Sequence, residues 1–230
     1  MIATLALSAL AEPPRAEVLA GWSGNAVQSY GFATVQPALL RSTDGSLVAR
    51  TTVSHLHYSF FDGARIHRVD SPGLSVGPAF VYTPGDLALG VGVGLGARRS
   101  TSWAVGSAAE SRVKLDASLT GDVFWRPGQR AQIYTLFSLG AADRYVWARA
   151  GATYPVIPRE GAVSLWLGLE GTTSGPLSAL LNEVGPVAEV PVRPLGAVLG
   201  VRAALPVEDL AGGTFVLDHA TFGIGAYWSY

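Results

Sequence analysis

The sequence predicts an all-β chain, an antiparallel up-and-down transmembrane β-barrel, with twelve strands as the count that fits best and ten as the alternative. Three observations lead there. Only 14% of the 230 residues are charged while 49% are apolar, against roughly 25% charged in an ordinary soluble domain. No apolar run reaches the length of about 18 residues that a spanning helix needs, so apolar surface must reach lipid in shorter pieces. Apolar side chains recur at every second position through most of the chain, a period that strands use and helices cannot. The 28 Gly, six Trp, eight Tyr and eight Phe agree, since barrels carry aromatic girdles and place glycine at close strand contacts. A soluble β-sandwich or lipocalin-like barrel would also read as many short strands, but it would need polar outer faces where this chain has Leu, Val, Phe and Trp.

The chain opens on MIATLALSALA, a short apolar segment ending in the small-x-small form of a signal-peptidase site but lacking a basic n-region. Residues 1–11 are therefore expected to be a truncated signal peptide, with residues 12–230 forming a single barrel domain. Strands are expected at 16–24, 29–40, 46–60, 74–83, 86–98, 107–126, 130–140, 143–155, 161–172, 182–193, 195–206 and 214–230. Short turns are marked by STDG at 42–45, TPGD at 83–86, RPGQ at 126–129, PREG at 158–161 and VRP at 192–194. Longer polar connections are expected at 61–73, 97–106 and 172–181. Alternating short turns and long loops with an even strand count put both termini in the periplasm and the protein in the bacterial outer membrane.

The fifth strand has the cleanest pattern. Leu87, Leu89, Val91, Val93 and Leu95 share one face, while Ala88, Gly90, Gly92, Gly94 and Gly96 share the other. That run lacks the following helix of a nucleotide loop and reads as a smooth inner wall. In the sixth, Val113, Leu115, Ala117, Leu119, Val123 and Trp125 point to lipid, with Arg112, Lys114, Asp116, Ser118, Thr120 and Asp122 toward the lumen. Leu165, Leu167 and Leu169 alternate with Trp166, Gly168 and Glu170, and Leu199 and Val201 with Gly200 and Arg202. Faces stay unassigned at 51–60 and 132–139, where the alternation blurs. The last strand carries Phe222, Ile224, Ala226, Trp228 and Tyr230 on one face; Phe222, Ile224, Trp228 and Tyr230 form the membrane-insertion signal expected to be read by the barrel-assembly machinery, and the strand should close on the first near Val18.

A net charge of −1 without a basic cluster argues against nucleic acid as a partner. Zero Cys excludes disulfides and thiolate metal sites. His55-Leu56-His57 puts two imidazoles on one strand face with no third ligand evident, so no metal or other cofactor is expected. A hydrolase would need a positioned Ser, His and acidic residue; Asp218-His219 with Ser229 imitates that set only in part, and no Gly-x-Ser-x-Gly elbow occurs. No catalytic residue is assigned. Arg50, Arg112, Lys114, Arg149, Arg193 and Arg202 are expected in the lumen against Asp116, Asp122, Glu170, Glu183 and Glu189, a near-balance that suits a paired network filling a small barrel.

Several segments together resemble the cellulose biosynthesis protein BcsS family. They are Gly21-Trp22 with Tyr30-Gly31, LVARTTVSHLHYSFF at 47–61, GARIHRVDSPGLSVGPAFVY at 63–82, SRVKLDASLTGDVFW at 111–125 and RYVWARAGATY at 144–154. The chain departs from that family after Trp166, where Glu170 stands without a Gly-Pro-Glu triplet. The resemblance implies a non-enzymatic outer-membrane barrel that supports production or export of an exopolysaccharide, cellulose in that family, alongside export components. A glycan surface would draw on Arg112, Lys114, Asp116, Asp122, Arg149 and Glu170, with Trp147 or Trp166 as flat apolar faces. Two other readings stand beside it: a small porin-like channel or membrane anchor, and a lipid-modifying enzyme.

Overall fold

The computed structural model describes residues 16–25, 27–61, 63–104, 106–141, 145–157, 164–177, 180–192, 195–208 and 219–229. The expected signal peptide, Arg193, Asp218 and Tyr230 lie outside these residues. Twelve strands form a closed antiparallel barrel in which each pairs with its sequence neighbours and the last pairs with the first. They are β1 (Ala16–Gly24), β2 (Gln28–Arg41), β3 (Gly45–Phe61), β4 (Ile66–Tyr82), β5 (Leu87–Ala104), β6 (Glu110–Trp125), β7 (Gln132–Gly140), β8 (Tyr145–Ile157), β9 (Leu165–Pro176), β10 (Leu181–Val192), β11 (Ala197–Pro206) and β12 (Thr221–Ser229). Closure runs through Val18 opposite Trp228, as expected, and satisfies the backbone groups that an open edge would leave bare in lipid.

β1 begins and β12 ends at the same rim, which is the periplasmic one by the rule that short turns and termini share that side. Turn chemistry fits there. Gly85 adopts φ 58° in the Thr83-Pro84-Gly85-Asp86 turn, and Leu87 N donates to Pro84 O at 3.2 Å.

The expected long outer loops at 61–73, 97–106 and 172–181 are mostly strand. The observed connections are only 62–65, 105–109 and 177–180. The polar residues there keep pairing, His57 with Asp70, Val69 with Ser102 and Trp147 with Ser174. Above the bilayer the outer face of a hairpin meets water, so polar side chains no longer signal the end of a strand. The last strand errs the other way, since β12 starts at Thr221 rather than 214. β3 to β6, with 16 to 18 residues each, stand well above β1, β7 and β12 with nine. One side of the barrel is a raised wall.

The outer surface carries an apolar belt that water would not tolerate as a contiguous patch. Leu95 is 75% exposed and Ile224 64%, with Val91, Val93, Leu169, Leu199, Val201 and Phe222 alongside. Tyr82, Trp125, Tyr154 and Trp228 point outward within a few residues of the periplasmic turns, forming an aromatic girdle at that interface. A register shift between Ala38 and Leu40 lets Leu39 and Leu40 both face outward beside the rim. Above the belt the outward positions of β3 to β5 turn polar: His55 Nε2 lies 2.8 Å and His57 Nδ1 3.6 Å from the same Asp70 Oδ1. The stretch 51–60, whose faces the sequence left open, thus places Arg50, Thr52, Ser54 and Tyr58 inward and Val53, His55 and His57 outward. In 132–139, Gln132, Tyr134 and Leu136 face inward and are buried.

Candidate functional site in the lumen

Inside, the periplasmic half of the lumen is narrowed by buried wall side chains, most completely on the β9 to β12 side. Nearly every strand contributes a buried inward side chain at that level: Leu19, Gln36, Val48, Ala79, Phe124, Tyr134, Thr153, Trp166, Glu189, Val198 and Tyr227. Trp166 is 1% exposed and Tyr227 0%. Leu19, Val198 and Tyr227 form one apolar cluster, and Phe124, Tyr134 and Leu136 a second, with Phe124 and Tyr134 stacked at 6.2 Å. The plug is made by wall side chains from the strands themselves.

Glu170 and Glu17 in this packed region have polar partners, as burial demands. Glu170 Oε1 lies 3.1 Å from Arg149 Nε as an ion pair and accepts from Arg202 Nη1 at 3.0 Å, while Glu170 Oε2 accepts from the Tyr134 hydroxyl at 2.6 Å. Glu17 accepts from Gln36 and from the Tyr227 hydroxyl, the latter at 2.9 Å. Thr221 donates to Glu183 near the outer end of β12, so packing on the β9 to β12 side reaches the top of the barrel.

The other side of the lumen holds a cavity of about 650 Å³. Its wall is rich in hydroxyls from Ser and Thr of β1 to β7 and β9, with Tyr30, Phe32, Tyr58, Phe124, Tyr145 and Trp147 as aromatic faces. Gly96 of β5 lines it, and the other inward glycines of β5 leave room for side chains from β6. Gly90 faces Asp122 across the β5–β6 ladder, and a Cβ there would overlap the Asp122 carboxylate. That space lets Asp122 sit 3.6 Å from Arg50, which also donates to Thr120 Oγ1 at 2.7 Å and Gln36 Oε1 at 2.9 Å.

Of the residues singled out from sequence, Lys114, Asp116, Asp122, Trp147 and Arg149 line this cavity. Trp147 receives the Arg149 guanidinium at 5.5 Å from its ring centroid. Arg112 does not join them, because it stands above the lumen, mostly exposed and 3.3 Å from Glu110. Trp166 and Glu170 lie behind the cavity in the packed half. Phe222, Ile224 and Trp228 face lipid as expected. His219 and Ser229 fall at opposite ends of β12 and share no site.

Among solved structures, the chain superposes on the translocator domain of the autotransporter NalP from Neisseria meningitidis with a TM-score of 0.55, at 11% identity over 94% of this chain and 88% of that one. The β domain of the Bordetella autotransporter BrkA gives 0.53 at 14% identity, covering 96% of this chain and 100% of that one. The transport unit of the autotransporter AIDA-I from Escherichia coli gives 0.52 at 11%, over 94% and 89%. The protein has the fold of an outer-membrane β-barrel. Identities this low establish the fold alone. No protein-family model matches the sequence, and no curated protein matches it. With the apolar belt and aromatic girdle, the fold places the chain in the outer membrane and its belt against lipid.

Sequence reasoning missed Arg98, Tyr30, Tyr58 and Tyr145 as lumen residues. Arg98 was lost because 97–106 was read as a loop. The signal was present: Gly96, Arg98 and Ser100 continue the inward series of β5 without interruption.

Proposed function

We propose that the protein is a non-enzymatic outer-membrane barrel that binds an exopolysaccharide in its lumen cavity and so supports that polymer's production or export. The supporting observation is the cavity's chemistry, hydroxyl donors and acceptors beside flat aromatic faces and paired charges, the combination that sugar rings require. Its volume lies in the range of about 300–1,000 Å³ usual for ligand pockets. The resemblance of its segments to the BcsS family favours cellulose as the polymer and cellulose-export components as partners. Insertion by the barrel-assembly machinery would use the alternation of β12.

A wide porin-like channel has against it the buried side chains that fill the lumen on the β9 to β12 side, among them Trp166, Glu170, Val198 and Tyr227. A lipid-modifying enzyme has the separation of His219 from Ser229 against it. The direct test is titration of the detergent-solubilised barrel with cellohexaose, followed by intrinsic tryptophan fluorescence. Saturable binding is expected, weakened about tenfold or more in Trp147→Ala, equivalent to about 1.4 kcal/mol. Absence of saturable binding to the wild-type barrel overturns the proposal.

A further inference from the structure

Arg98 differs from the other well-placed lumen arginines. Arg50 is matched by Asp122, and Arg149 and Arg202 share Glu170. Arg98 instead donates from Nη1 to Ser71 O at 3.0 Å and from Nη2 to Ser54 Oγ at 3.1 Å, with no carboxylate in ion-pair contact among the described residues. A guanidinium has five N–H donors; these two bonds fix its plane and leave the others for the cavity.

The local sequence is arranged to hold it there. Arg98 lies opposite Gly73 on β4, and a Cβ at Gly73 would stand 3.3 Å from its Cζ and Nη2, tighter than side chains ordinarily pack. Gly73 therefore gives the guanidinium room to lie flat against the wall between Ser54 and Ser71. Lys114 is its neighbour on β6. The nearest lumen carboxylate on that strand, Asp116, leans the other way, with Oδ2 about 3.1 Å from where a Cβ of Gly140 on β7 would be. Tyr30 from β2, Tyr58 from β3 and Tyr145 from β8 line the same cavity as Arg98, and Tyr30 and Tyr145 lie within electrostatic reach of it.

A fixed, partly buried guanidinium with spare donors, next to an ammonium and with phenols in the same cavity, matches a carboxylate attached to a sugar ring. The carboxylate takes charge-assisted bonds, and the ring lies against the aromatic faces. Resting on the glycan reading above, we propose that the outer part of the cavity is a subsite for an acidic sugar residue, with Arg98 as its anion-binding group and Tyr30, Tyr58 and Tyr145 as its walls. The polymer that satisfies both readings is a cellulose-like chain carrying carboxylates on some of its sugar residues, which would give Arg98 a counter-ion while neutral residues occupy the rest of the cavity.

Calorimetric titration of the full chain in detergent tests this with two probes, cellohexaose and the same hexamer oxidised to carboxylate at every C6. The acidic hexamer is expected to bind at least about tenfold tighter at low salt, with the advantage shrinking as salt rises. Arg98→Gln is expected to bring the two probes within about twofold of each other, its folding checked by heat-modifiable migration on gels. Should that variant not fold, the salt dependence of the wild-type preference still decides. Equal affinity of the two probes for the wild type, or a preference that survives in Arg98→Gln, overturns the acidic subsite while cellohexaose binding keeps the glycan reading. Failure of both probes to bind overturns both.

Discussion

Glu170→Ala is expected to destabilise the barrel by about 3–5 kcal/mol, the cost of removing one partner from a buried ion pair. Glu170 is in ion-pair contact with both Arg149 and Arg202, and all three side chains are more than nine-tenths buried. Its loss leaves two guanidiniums facing each other and the Tyr134 hydroxyl without its acceptor. Glu170→Gln keeps the volume and an acceptor for Tyr134 while removing the charge, so it should fall between wild type and alanine. Urea titration in phospholipid vesicles, scored by the fraction that migrates as the folded band without heating, measures both. An alanine variant within about 1 kcal/mol of wild type would mean that the network contributes nothing net.

The second large effect concerns the lipid face. Ile224 is four residues from Trp228 at the periplasmic rim. At about 3.3 Å per residue and a tilt near 40°, that places it about 10 Å into a belt about 25 Å tall, close to the midplane. Ile224→Arg is therefore expected to cost about 2–4 kcal/mol. Val27, equally outward but in the outer turn between β1 and β2, should accept arginine at a cost within about 0.5 kcal/mol, as an exposed surface site does. The same vesicle assay compares them. Equal costs at the two positions would remove the membrane belt from the account.

Much of this was legible because a membrane barrel writes its two solvents into alternate residues. The Leu/Gly alternation of 87–96, the Val/polar alternation of 113–122 and the aromatic series of β12 gave the lipid face and the pairing of Val18 with Trp228. That code works only inside the bilayer. Above it both faces are wet, so Arg68, Asp70, Arg99 and Thr101 looked like loop residues although β4, β5 and β6 pair through them. The same limit hid Arg98. Which lumen charges meet was also beyond the sequence, because register across the barrel decides it: Glu170 finds Arg149 on β8 and Arg202 on β11, while Arg112, on the same face as Lys114, rises clear of the cavity.

A lumen filled by wall side chains on the β9 to β12 side, with a cavity on the other, is the central claim, and single-channel recording in planar bilayers tests it most directly. Wild-type protein is expected to give no stable conductance steps, whereas the double variant Trp166→Ala and Tyr227→Ala, which removes the two largest side chains of the plug on the β9 to β12 side, should give resolvable ones. Regular porin-like steps from the wild type would contradict the account.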